Sequence, residues 1–279
     1  MFTSRCILGM LVVATIAAAL AGCGSSSGPT NGQIAFQSGS GIAVMDGDGS
    51  NQRPVVATGT QPSIRRDGRM IAFVKGNDIF TVNTDGTGLN QVTHNGIGVS
   101  VSSPAFSPSG SQIAYVVRAV APGPVPAIHL IGTDGLGDVT LVTNADQPTF
   151  GPSGTQLAFV RDNDIFEINT DGTGITNLTN GTAGLGVSHP SFSPGGGQIV
   201  FSALLSTASL TPTIRLLALG NLQITDVIDD GTQPAFGPGG LRIAFVKSGE
   251  IFTINQSATD LQQLTSGPDD SRPSWTSSS

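Results

Sequence analysis

The sequence predicts an all-β chain: a six-bladed β-propeller of four-stranded blades, closed by the C-terminal strand joining the first blade. Three observations carry this expectation. An apolar triplet recurs at 34–36, 71–73, 113–115, 157–159, 199–201 and 243–245, reading "IAF", "IAF", "IAY", "LAF", "IVF" and "IAF". The spacing of about 40 residues lies in the range of propeller and solenoid repeats. A proline-led segment recurs with it: "PSI" at 62, "PAF" at 104, "PTF" at 148, "PSF" at 190, "PAF" at 234 and "PSW" at 273. The two series are out of phase at the ends, because the first triplet has no proline-led segment before it and the last such segment has no triplet after it.

Each element of the repeat follows in order. The triplet opens one strand, and a second strand comes after it: "IAVMD" from Ile42, "DIFTVN" from Asp78, "AIHLIG" from Ala127, "DIFEIN" from Asp164, "TIRLLA" from Thr213, "EIFTIN" from Glu250. Apolar and polar positions largely alternate, as half-buried strands require. A turn rich in Asp, Gly and Thr comes next ("TDGTG" at 84–88 and 170–174), and then a third short strand such as "NQVT" or "TNLT". The proline-led segment is the fourth strand, and a Gly-rich turn such as "SPSG" or "GPGG" returns the chain to the next triplet. No segment carries apolar residues at the 3.6 spacing of a helical solenoid. In a ring, the strand at 273–277 completes the blade begun at Ile34–Phe36, and its absence would leave an unpaired edge.

A pairwise pattern underlies the six. Blades two, four and six share short links ("VKGNDIF", "VRDNDIF", "VKSGEIF"), whereas blades three and five carry long ones at 116–126 and 202–212. Gln precedes the proline at 61, 147 and 233, while Ser103, His189 and Arg272 precede it in the blades between. The chain reads as three copies of a two-blade unit.

"PSFSPGGGQIVFS", "PAFSPSGSQIAYV" and "DIFTVNTDGTGLNQVT" resemble the repeats of TolB-type propellers, whose pattern runs roughly P-S-F-S-P-D-G-x-x-I-A-F, then I-Y-V-x-x-x-D-G, then L-T. The resemblance covers about residues 33–279. The Asp of S-P-D-G survives only as Asp67, in "RRDG". TolB itself carries an N-terminal α/β domain, where this chain has a nine-residue spacer, "GSSSGPTNG". The resemblance implies that the proline-led strand is innermost. That places Gln61, Ser103, Gln147, His189, Gln233 and Arg272 near one mouth of the central channel as candidate ligand-binding residues. Ile64, Phe106, Phe150, Phe192, Phe236 and Trp275 would then pack between blades. Arg272 offers a fork of donors to a carboxylate, His189 a charge change near neutral pH, and the three Gln both donors and acceptors.

Catalytic chemistry is poorly supplied. No Gly-x-Ser-x-Gly elbow stands between a strand and a helix, and no separate hydrolase domain is expected. Of the three histidines, His94 reads as a surface residue and His129, between Ile128 and Leu130, as a satisfied half-buried one; no two stand at ligand spacing. "DGDGSN" at 46–51 has the oxygen density of a calcium loop but lacks its closing Glu, and it falls where other blades have a strand-joining turn. No metal and no cofactor is expected. With 12 basic against 19 acidic residues and no basic run, nucleic acid is not an expected partner.

The leader places the protein. Arg5 precedes an apolar run from Cys6 to Leu20, shorter than the roughly 20 residues of a membrane span and laid out as a secretory signal. It ends in "LAGC" at 20–23, which resembles the bacterial lipobox. Residues 1–22 are thus expected to be a lipoprotein signal peptide cut after Gly22, and 23–32 a lipidated Cys23 with a flexible linker. Several acyl chains on one residue make a durable anchor where one is marginal. Once Cys6 leaves with the leader and Cys23 is acylated, no thiol or disulfide remains. The expected protein is a non-catalytic, lipid-anchored module of the bacterial cell envelope, at the outer membrane or periplasmic face in a Gram-negative cell. It would bind a protein, peptide or glycan. A propeller-fold polysaccharide or lactone lyase and a purely structural envelope module are the alternatives.

Overall fold

The apolar triplets form the second strand of each blade counted from the channel, where neighbouring blades cover both faces of the sheet. This arrangement is seen in a computed structural model that describes residues 32–119, 125–208, 211–267 and 269–276. Six sheets of four antiparallel strands account for the described strands. Blade two, for example, runs Thr60–Ile64, Met70–Lys75, Asp78–Asn83 and Asn90–Gln91 from the inside outward.

The large–small–large triplet has a packing reason. Alternate side chains of a strand point to opposite faces. The small middle residue therefore faces one neighbouring blade, while its large flanking residues face the other. Ala35, Ile42 and Val44 of blade one meet Ile64, Ile71 and Phe73 of blade two. Ala72 and Ile79 of blade two meet Ile113 and Tyr115 of blade three, and the pattern continues round to Ala244 and Ile251 of blade six, against Ile34 and Phe36. The core is thus six inter-blade layers. Each fully buried Phe or Ile contributes about 1.5–3 kcal/mol.

The ring closes as the phase of the repeats predicts. The last strand, Asp270–Trp275, lies inside Gln33–Ser38, with Ile34 opposite Trp275 and Ala35 opposite Ser274. The N–H of Thr276 donates to the Gln33 carbonyl at 2.9 Å, and that of Gln33 to Thr276 Oγ1 at 2.9 Å.

The two-blade unit also has a physical basis. In blades two, four and six, a buried Thr just past the outermost strand (Thr93, Thr179, Thr265) accepts the N–H of Ile79, Ile165 or Ile251 at 2.9–3.0 Å. Thr93 and Thr179 donate in turn to Asp78 and Asp164. The threonine of "NQVT" and "TNLT" is a latch between outer strands. At 46–51 the acidic groups serve their own turn, with Asp48 accepting from the N–H of Ser50 at 2.9 Å and Asp46 from Asn51 at 2.7 Å.

One expectation needs correction. The inner strands do not begin at the proline. They span Thr60–Ile64, Val99–Phe106, Asp146–Phe150, Leu185–Phe192, Thr232–Phe236 and Asp270–Trp275, so each proline lies within its strand. An edge strand tolerates proline because the missing N–H costs no ladder bond.

Candidate functional site

Each inner strand breaks register just before its proline, and Leu185–Phe192 breaks a second time, between Leu185 and Ser188. The breaks before proline fall between Thr60 and Ser63, Ser102 and Ala105, Asp146 and Thr149, Ser188 and Ser191, Thr232 and Ala235, and Ser271 and Ser274. Inside these bulges stand Gln61, Ser103, Gln147, His189, Gln233 and Arg272, all with φ between 51° and 56°. Such a conformation costs a non-glycine residue about 1 kcal/mol or more. Six bulges at one level turn six side chains out of the blade layers.

These residues line one cavity of about 260 Å³ together with the prolines that follow them. Arg66, Pro108, Pro152 and Pro194 line it as well. Ile64, Phe106, Phe150, Phe236 and Trp275 are buried and Phe192 half-buried. No Asp or Glu is among the lining residues, whose charged members are Arg66 and Arg272.

The three glutamines do not act as free ligand groups. Gln61 Oε1 accepts the N–H of Ser103 at 2.6 Å, Gln147 Oε1 that of His189, and Gln233 Oε1 that of Arg272 at 2.6 Å. Each clamps the strained residue of the next blade, which explains why Gln recurs at every second blade. Each glutamine thus lines the cavity with its carbonyl oxygen already engaged.

Arg272 and His189 meet although they stand two blades apart, Arg272 Nη1 lying 3.3 Å from His189 Nε2. Burial, and then the charge of Arg272, push His189 down to about 4. This corrects the expectation of a charge change near neutral pH, since the imidazole is neutral there. Nε2 accepts from the guanidinium, so Nδ1 carries the proton, and that buried atom has no hydrogen-bond partner. Burial also lowers the Arg272 pKa, opposed by Asp146. The Asp146 carboxylate is engaged elsewhere, by an ion pair with Arg118 and by the N–H of Gln147 at 2.8 Å. Arg118 Nη1 donates to Ser102 Oγ at 2.9 Å as well.

Sequence reasoning missed Arg66, Asp146 and Arg118. One signal was present: the residue before Gln is Thr at 60 and 232 but Asp at 146. The other histidines follow expectation. His94 is exposed, and His129 is held by Asp138 and Thr140 at 3.1 Å each. Among the described residues no three potential metal ligands gather.

A pH prediction follows from His189. Its folded pKa lies below the ordinary value of 6.5. The unfolded chain therefore binds the extra proton first, and stability present above pH 6.5 is lost as pH falls toward 4. The contribution is on the order of 3 kcal/mol at most. Chemical denaturation of wild type and His189→Gln between pH 7 and 4 will show a shallower loss in the variant; equal slopes would remove His189 from the account.

Residues 79–279 match the family model described as the TolB beta propeller domain. The chain belongs to this family. Among solved structures, TolB from Acinetobacter baumannii superposes with a TM-score of 0.76 at 15% identity, over 90% of this chain and 68% of that one. An oligogalacturonate lyase from Vibrio parahaemolyticus gives 0.59 at 10% identity, over 80% and 70%. A chain of a nidogen–laminin complex gives 0.66 at 11%, over 85% and 93%. At such identities the likeness is one of fold. No curated protein matches the sequence.

The TolB-type turn is built here with altered parts. Asp67 accepts from Arg65 at 2.8 and 2.9 Å and from the N–H of Arg69 at 3.0 Å. In blades three and four a serine takes that place, with Ser109 contacting Ser111 and Ser153 contacting Thr155, each at 2.8 Å. A hydroxyl replaces the carboxylate as the turn's internal partner, so losing the family Asp leaves the turn intact.

Proposed function

We propose that this TolB-type propeller is a non-catalytic, lipid-anchored protein of the bacterial cell envelope that binds a protein, peptide or glycan partner. The partner engages the channel ring of Gln61, Ser103, Gln147, His189, Gln233 and Arg272. One observation carries the reading: six strained residues converge on a single cavity, and local strain of this kind collects at functional sites. That a similar propeller occurs in a nidogen–laminin complex supports a partner-binding role. Lyase chemistry is less well served. The Nε2 lone pair of His189 is taken by Arg272, and a conjugate acid near 4 makes a weak base for proton abstraction.

The envelope anchor rests on "LAGC", and Cys23 lies outside the described residues. Cys23→Ala will leave the precursor uncut or release the protein from membranes. Normal processing together with membrane fractionation in high salt would sink the anchor. For the ring, a photo-crosslinker at Ser103 in the full-length protein in cells will capture the partner, and one at Thr140 on the outer strand of blade three will not. The reverse pattern would move the site off the channel.

A further inference from the structure

We infer that the channel ring is an anion site that receives the free C-terminal carboxylate of a partner polypeptide. This rests on the propeller being a partner-binding module and names what that module grips.

The reasoning is an inventory of hydrogen-bonding capacity. A backbone N–H only donates, so Gln61, Gln147 and Gln233 each turn Oε1 to the N–H they clamp and keep two Nε2 donors for the cavity. His189 adds the Nδ1–H, which is buried without a partner. A buried polar atom left unsatisfied calls for an explanation. Arg272 adds its remaining guanidinium donors, and no carboxylate among the described residues forms an ion pair with it. Nearby Asp146 is already held by Arg118. Apart from the Ser103 hydroxyl, which both donates and accepts, the side-chain capacity left in the ring is donor, in a wall without acidic residues. The protein as a whole carries a formal net charge of −7, so the cavity departs from its surroundings in sign.

A donor ring around a guanidinium suits a carboxylate, which only accepts and takes the Arg fork in bidentate fashion. It suits a sugar poorly, because hydroxyls also need acceptors. Beyond the ring, between the hydroxyls of Ser63, Thr149, Ser191 and Ser274, the walls carry prolines and phenylalanines, including Phe106, Phe150 and Phe236. These fit the apolar side chain of a last residue. At about 260 Å³ the cavity is small beside the roughly 300–1,000 Å³ of ligand pockets, and it admits a chain end rather than a folded surface.

Trp275, the single tryptophan, lines the cavity and reports on its contents. The full-length protein in detergent is titrated, following tryptophan fluorescence, with a pool of random pentapeptides bearing free C-termini. The same pool as C-terminal amides, trigalacturonate and inorganic phosphate are titrated alongside. The free-acid pool is expected to bind at least tenfold tighter than the amidated pool. Gln147→Glu supplies the second arm: its carboxylate still accepts the His189 N–H, so the fold is kept, while the ring gains a negative charge. This variant will melt as wild type does and lose the free-acid preference. Equal binding of both pools would overturn the carboxylate while leaving the partner-binding reading in place. Binding of trigalacturonate or phosphate in preference to the peptides would overturn the chain end. Silence from every probe to millimolar concentration would overturn the anion site, while the Ser103 crosslink tests partner binding separately.

Discussion

Removal of residues 270–279 abolishes cooperative unfolding of the propeller. Asp270–Trp275 is the inner strand of blade one, and it is joined to three blades. It pairs with Gln33–Ser38 in its own blade. Ser274 Oγ accepts the N–H of Ile64 in blade two at 3.0 Å. Toward blade six, Gln233 Oε1 clamps the N–H of Arg272 at 2.6 Å, and Trp275 packs so closely on Gly237 that a Cβ there would sit 2.9 Å from the indole. Losing Trp275 alone forfeits a few kcal/mol of burial. Each lost hydrogen bond adds about 0.5–1.5 kcal/mol net. A domain holds only about 5–15 kcal/mol in all. The deletion also opens a seam, exposing Ile34 and Phe36 along an unpaired edge of the kind that aggregates. Scanning calorimetry of the full chain should show one sharp transition, and of the truncated chain a broad or absent one. A truncated protein melting within a few degrees of the full one would refute the closure.

Six blades and their closure were legible because the repeat states them six times, and each copy corrects the reading of the others. A triplet such as Ile71–Ala72–Phe73 encodes both burial and which face is large. The starts of the inner strands are not legible, because a proline ordinarily marks where a strand begins. A bulge instead lets pairing continue on both sides of Gln61–Pro62, and nothing local in a Gln announces a φ of 56°. The ring residues were findable as a set from their place before proline, but their division of labour was not. Gln147 reads as a ligand group until the N–H of His189, 42 residues on, takes its carbonyl. The displaced titration of His189 depends on burial and on Arg272, 83 residues away. Such pairs are made by the packing of blades around the channel, and no window of sequence contains them.

Phe201→Ala is expected to cost about 3–5 kcal/mol, the usual price of deleting a buried phenyl ring. Phe201 is fully buried between blades four and five, against Ala158, Ile165, Val187 and Ile199. The void cannot readily collapse, because Phe201 and Ala158 both lie on second strands held by ladders on either side. At roughly 2–4 °C per kcal/mol for a domain of this size, the melting temperature falls by about 6–20 °C. The reciprocal change, Ala158→Leu, inserts bulk where Phe201 already fills the space and costs about 1–3 kcal/mol. If large and small residues truly interdigitate across the blade interface, the two changes compensate. The double variant Ala158→Leu/Phe201→Ala will then be more stable than the sum of the singles by about 1 kcal/mol or more. Urea denaturation of the four proteins measures this coupling. Simple additivity would mean that Ala158 and Phe201 do not share a cavity, and the packing account of the triplet would fall with it.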